Sequence, residues 1–159
     1  GAGKSLSNTS HFSWRQNNLS VYKAFTHQHL PEISNSIQHL QPGFESRINL
    51  IPQRGNFTRG IFTTIGLDCD LPLEQLSKIF SAYYHDAPFV HQSPSSIDLK
   101  QVVNTNKCVL YLEKQDNQLM ILSILDNLLK GASGQAVQNM NLLFGFEETT
   151  GLKLKAIAF

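Results

Sequence analysis

Cys108-Val-Leu-Tyr-Leu-Glu-Lys-Gln-Asp-Asn-Gln-Leu-Met-Ile-Leu-Ser-Ile-Leu125 is the stretch on which the fold turns. Two apolar runs, Cys108–Glu113 and Leu119–Leu125, flank Gln115-Asp-Asn-Gln118, whose Asp and Asn suit a tight reversal, so a β-hairpin is expected. Upstream, Gly60–Leu67 is rich in Ile, Phe and Thr and is expected to be another strand, and a short one is expected near Lys100–Val103. Between these, Leu73, Leu76, Ile79, Phe80 and Tyr83 recur at helical spacing, with Asp70 placed to cap the helix and Pro88 to end it. A last helix should run from about Leu128 to Phe144. Toward the N-terminus, Leu19–Phe25 alternates at period two as a strand, and Pro31 opens a helix with Ile33, Ile37 and Leu40 on one face and Gly43 as its stop. Arg47–Ile51 is a further strand candidate, followed by the loop Pro52–Arg59. This order predicts an α+β fold over residues 1–159 as one domain: a mixed, largely antiparallel sheet with helices on one face and the other face free for a partner.

The chain has 159 residues, enough for a sizeable core, and only 16% are charged, fewer than a soluble surface normally carries. Part of the surface is therefore expected to be covered by another protein. A net charge of +1 lacks the basic excess of a nucleic-acid binder. The longest largely apolar stretch, Leu119–Leu125, is far short of the roughly 20 residues a membrane-spanning helix needs. Two cysteines, Cys69 and Cys108, make no disulfide scaffold, and the N-terminus carries no secretory pattern, so the cytoplasm is the expected location. The polar, irregular opening from Gly1 to Asn18 has the character of the cut end of a longer chain.

The densest ionisable cluster is Thr26-His-Gln-His-Leu-Pro-Glu32, at a strand-to-helix junction. A neutral imidazole exchanges protons near neutral pH, and a nearby carboxylate can hold its tautomer, which suits His27 with Glu32. His27 and His29 could instead be two metal ligands, although no third is evident, or a structural pair. Gly1-Ala-Gly-Lys-Ser5 lacks the earlier glycine and the strand that a phosphate-binding loop requires. Arg54 and Arg59 bracket a glycine-containing loop, and a guanidinium fork suits carboxylate or phosphate. In the last helix Gly131, Ala132, Ser133 and Gly134 allow close approach, while Gln135, Gln138, Asn139 and Asn141 supply amides where Lys and Glu would normally face water. Asp126-Asn127 precedes it as a cap or as a polar ligand site. Cys69 lies between Asp68 and Asp70, whose charges oppose a thiolate, and Cys108 opens a core strand, so both are expected to be structural.

Phe25-Thr-His-Gln-His-Leu-Pro-Glu-Ile33, Thr58-Arg-Gly-Ile61 and Asp126-Asn-Leu-Leu-Lys-Gly-Ala-Ser-Gly-Gln-Ala-Val-Gln-Asn-Met-Asn141, in this order, resemble the N-acetyl-gamma-glutamyl-phosphate reductase family, NADPH-dependent enzymes of arginine biosynthesis. Tyr83–Phe89 and the Phe144-Gly-Phe-Glu-Glu-Thr149 ending extend the resemblance along the whole chain. It covers only the C-terminal catalytic and dimerisation region, because the family's dinucleotide-binding domain and its nucleophilic cysteine in Asn-Pro-Gly-Cys-Tyr-Pro-Thr have no counterpart here. The resemblance implies a fold similar to the C-terminal domain of glyceraldehyde-3-phosphate and aspartate-semialdehyde dehydrogenases. It implies an N-acyl-glutamyl phosphate substrate, NADPH held mainly by an N-terminal Rossmann domain, and a homo-oligomer, with no metal and with no activity for this chain alone. His27 matches the family's general acid/base and Glu32 its carboxylate neighbour. Arg59 matches the arginine for an anionic substrate group, His29 joins it as a substrate contact, and Asn127 resembles the asparagine that meets the nicotinamide amide. Gln28 stands where the family often has arginine. The rival expectations are a stand-alone dimerisation domain and a metal-dependent hydrolase built on His27 and His29.

Overall fold

The computed structural model describes residues 6–156. The chain divides into two compact units, one ending at Phe57 and the other beginning at Thr58.

The first unit has short elements. A 3-10 turn at Asn8–Ser10 leads into α1 (Phe12–Arg15), and β1 (Ser20–Val21) pairs antiparallel with β2 (Gln53–Arg54), with α2 (His29–Leu40) between them. The strand expected over Leu19–Phe25 is cut to two residues because the backbone turns at Lys23 (φ 44°) and Phe25 (φ 60°), conformations no ladder accepts. Arg47–Ile51 forms no strand; it supplies isolated bonds, such as the Leu50 carbonyl accepting from Phe25 N–H at 2.9 Å, and the regular pairing falls on Gln53–Arg54. α2 begins two residues ahead of Pro31, which sits in the first turn, where its missing N–H has no helical partner to lose.

The second unit holds a four-stranded sheet in the order β3-β6-β5-β4, made of β3 (Ile61–Asp68), β4 (Val90–Gln92), β5 (Cys108–Gln115) and β6 (Gln118–Leu125). β5 and β6 form the expected hairpin, closed around Asp116 at φ 50°, and only β4–β5 is parallel. The sheet is thus mixed and largely antiparallel. α3 (Leu73–Tyr83) lies on one face, where Leu76 packs with Leu112 and Leu119. Its N-terminal flank is Pro72, which makes no side-chain cap, and Asp70, expected to cap it, lies further upstream. The region expected to be a strand at Lys100–Val103 is a 3-10 turn, Leu99–Gln101, in a segment that drives Ile97 and Val102 onto Leu122 and Ile124. The face opposite α3, expected to be free, is therefore covered at its centre by an irregular segment. Apolar side chains stay exposed on the edge strand β3, with Ile61, Phe62, Ile65 and Leu67 each 41–46% accessible.

After β6 the chain makes a π turn, Leu129–Ser133, and then α4 (Gly134–Leu143). Gly134 is required by contact: a Cβ there would stand 1.7 Å from Asn106 Oδ1. Among the described residues, no helix is long and apolar enough to cross a membrane.

Candidate functional site

In the first unit, His27 sits where the Lys23–Phe25 backbone turn delivers the chain to α2. Its Nδ1 accepts the His29 N–H at 3.2 Å and its carbonyl accepts Leu30 N–H at 3.0 Å, so the residue caps the helix start with both main chain and ring. An acceptor at Nδ1 places the ring proton on Nε2 in the neutral form. The ring meets the Tyr22 ring edge-on at 5.7 Å and the His29 ring at 4.7 Å, and the Arg54 guanidinium covers Tyr22 at 4.7 Å. Glu32 lies exposed in the first turn of α2, and no hydrogen bond or ion pair joins it to His27 among the described residues. The tautomer expected to be held by Glu32 is held by a backbone N–H. Among the described residues, no third His, Cys, Asp or Glu gathers with the two histidines into a metal-binding group.

In the second unit, strand register brings two separated turns together. β3 and β6 pair from Asp68↔Gln118 to Ile61↔Leu125, so the residues just before β3 meet those just after β6. Gly60 N–H donates to Asn127 Oδ1 at 2.7 Å, and Arg59 Nη1 stands 3.6 Å from Asp126 Oδ2. Gly60 is at φ 113°, which favours glycine at this approach. Asp126 is fully buried: its Oδ1 accepts Leu128 N–H at 2.8 Å and Leu129 N–H at 3.0 Å, and its Oδ2 accepts Asn104 N–H at 2.8 Å. It caps the start of the π turn Leu129–Ser133 that leads into α4, and also faces the Arg59 guanidinium, which is 36% exposed. With Oδ1 of Asn127 taken by Gly60, the Nδ2 donor is what its amide has left to offer.

The amide-rich last helix makes the buried polar contact its composition predicted. Lys130 Nζ donates to Gln135 Oε1 at 2.8 Å and Gln138 Oε1 at 2.7 Å, and Gln138 Nε2 donates to Glu148 Oε1 at 2.6 Å. Burial pushes the Lys130 ammonium below its ordinary value, and the nearby Cys108 and Glu148 oppose that shift. Asn141 Nδ2 bridges the carbonyls of Glu148 and Thr150 at 3.1 and 3.0 Å. Lys130 and the carboxylate role of Asp126 escaped the sequence reading. The signal that could have found Asp126 was the pairing of a strand that begins after Thr-Arg-Gly with one that ends before Asp-Asn. Cys69 and Cys108 are free and half-buried; Cys69 packs beside the Leu76 cluster, and Cys108 Sγ contacts Ser123 Oγ at 3.5 Å.

Residues 1–127 match the family described as the semialdehyde dehydrogenase dimerisation domain. Proteins named N-acetyl-gamma-glutamyl-phosphate reductase from Parabacteroides distasonis and Phocaeicola vulgatus are 59% and 57% identical over all 159 residues, and the chain covers 49% of each. One of that name from Flavobacterium johnsoniae is 58% identical, also over the whole chain and 49% of its own length. The chain thus spans about half the length of these curated relatives. With the mixed sheet, the exposed edge strand and the family match in agreement, the chain belongs to the semialdehyde dehydrogenase dimerisation-domain family.

Proposed function

We propose that residues 1–159 are the C-terminal substrate-binding and dimerisation region of a cytoplasmic N-acyl-glutamyl-phosphate reductase of arginine biosynthesis. The observation that carries this reading is the pair of turns joined across the β3–β6 ladder, Arg59-Gly60 on Asp126-Asn127, which places a guanidinium and a side-chain amide on adjoining turns. The names printed for relatives near 58% identity support it. In this reading the whole enzyme joins a cysteine thiolate to the acyl phosphate, releases phosphate, and reduces the resulting thioester to the semialdehyde. NADPH, when bound by the Rossmann half of the enzyme, supplies the hydride, and on this chain Asn127 Nδ2 would hold its carboxamide.

Arg59 holds the anionic part of the substrate; His29 is a substrate contact of the first unit. His27 moves the proton. With Nδ1 accepting the His29 N–H, the neutral ring offers Nε2–H as a hydrogen-bond donor to an oxygen gaining negative charge; transfer of that proton proceeds from the imidazolium, in which Nδ1 carries the second proton and gives up the His29 N–H. Glu32, in the first turn of α2, favours that cationic form by its charge, without contacting the ring. Self-association belongs to β3, an edge strand whose apolar side chains are uncovered.

His27→Asn in the full-length reductase tests the reading. Asparagine can accept the same N–H and keep the helix cap, but it loses the titrating nitrogen. kcat is expected to fall about 100- to 10,000-fold with KM nearly unchanged, and Glu32→Gln to cost less. Near wild-type kcat for His27→Asn would remove His27 from the chemistry.

A further inference from the structure

We propose that Asp126 is the positioning residue for the Arg59 guanidinium, over and above its service as a helix cap. The inference rests on the reading of Arg59 as the holder of an anionic substrate group. The two carboxylate oxygens have separate partners. Oδ1 takes the paired N–H groups of Leu128 and Leu129, which is the capping function. Oδ2 takes the Asn104 N–H at 2.8 Å and faces Arg59 Nη1 at 3.6 Å, and neither contact is needed to begin a helix.

Asn104 is itself at φ 62°, and its N–H holds Oδ2 by a bond separate from the two on Oδ1. The carboxylate is wholly buried while the guanidinium is 36% exposed, so the acid is the fixed partner and the arginine the group being aimed. Gly60, the residue after Arg59, is tied by its N–H to the residue after Asp126, which fixes the backbone from which the arginine springs. An arginine held at one nitrogen and at its backbone still offers its remaining N–H groups as a preorganised fork for phosphate or carboxylate.

Asp126→Asn separates the two roles, because the amide oxygen can keep the Leu128 and Leu129 bonds while its NH2 then faces Asn104 N–H and Arg59. In the full-length enzyme this variant is expected to raise KM for the acyl phosphate about tenfold with kcat within about threefold of wild type. Arg59→Gln should raise KM at least as much, and the double variant should be no worse than Arg59→Gln alone, the pattern of two residues acting through one contact. An unchanged KM in Asp126→Asn, or additive effects in the double variant, overturns the inference while leaving the role of Arg59 intact. An unchanged KM in Arg59→Gln overturns both. Should Asp126→Asn fail to fold, Arg59→Ala assayed with added guanidinium chloride decides: saturable recovery at millimolar concentration is expected if the carboxylate anchors the cation, and no recovery overturns the proposal.

Discussion

The stretch Leu6–Phe57 contains no buried residue, whereas every core side chain among the described residues lies after Thr58. Both stretches are rich in large apolar residues, yet in the first Phe12, Leu19, Leu40 and Phe57 are all more than half exposed. What orders the first unit is polar. Arg15 donates to the Arg54 carbonyl, to Ser20 Oγ and to the Thr9 carbonyl, while Arg54 and Arg47 cover the rings of Tyr22 and Phe25. The second unit rests instead on paired strands and two apolar clusters. The contrast assigns different mechanical characters to the proposed functional residues. His27 stands on exposed, individually modest bonds of the kind that open locally, while Arg59 faces a fully buried carboxylate and Asn127 ties Gly60 at the end of the β3–β6 ladder.

The sharpest way to break this comparison is to truncate one apolar side chain in each unit. Ile124 is inaccessible, wedged among Ile97, Val102 and Leu122, and Ile124→Ala should destabilise the chain by about 2–5 kcal/mol in urea unfolding. Leu40, at the end of α2 and 82% exposed, should change stability by less than about 0.5 kcal/mol when replaced by Ala. Equal losses would mean that the first unit has a core of its own.

The same contrast explains what the sequence could reveal. Period-two alternation is the trace of a strand buried on one face and a continuous apolar run that of a strand buried on both, and β5–β6 is of the second kind, with Leu112 and Leu119 in one apolar cluster and Leu122 and Ile124 in the other. In Leu19–Phe25 the alternation is present without a core to justify it, and a hydropathy pattern carries no record of the positive φ angles at Lys23 and Phe25 that end the strand. β4 was missed for the opposite reason: it has three residues, His91 and Gln92 are polar, and its partner is parallel. His27, Glu32 and Asn127 could be nominated from the sequence because each lies in a short contiguous motif. The tie between Arg59-Gly60 and Asp126-Asn127 was not, because Gly60 and Asn127 are 67 residues apart and only the β3–β6 register joins them.

A smaller effect sharpens the account of the second unit. Gly134→Ala would set a Cβ 1.7 Å from Asn106 Oδ1 and 2.9 Å from the Leu129 carbonyl. Asn106 is 2% exposed, and its Nδ2 is committed to the Leu152 carbonyl at 2.9 Å, so the amide has little room to withdraw. The substitution should destabilise by about 1–3 kcal/mol in the same unfolding measurement. Asn106→Ala added to Gly134→Ala should recover part of that loss, since the clash is with the amide itself. A stable Gly134→Ala whose double variant is merely additive would show that the two segments are not packed as tightly as the first cluster of contacts demands.

The smallest effect is electrostatic and belongs to the exposed rim of the second unit. The Thr149 hydroxyl and N–H both bond the Glu147 carboxylate, at 2.6–2.8 Å, and hold its titration below the ordinary value of 4.5, with Lys153 assisting and desolvation opposing. A carboxyl that is harder to protonate when folded takes up its proton first in the unfolded chain. Its contribution is therefore fully present above the unfolded value and is lost as pH falls through the folded one. Acidification from neutral pH to below 4.5 should thus loosen the segment that Thr149 anchors, seen as a lower hydrogen-exchange protection factor, after correction for the intrinsic pH dependence of exchange, at the Leu152 amide, which donates to the Thr149 carbonyl at 3.0 Å. Glu147→Gln removes the titrating group and should flatten that acid response at Leu152 without altering exchange at the Leu30 amide on His27. An acid response that persists unchanged in Glu147→Gln would trace it to another carboxyl. A response that appeared equally at Leu30 would mean that acid acts on the chain at large rather than through the Glu147–Thr149 bonds.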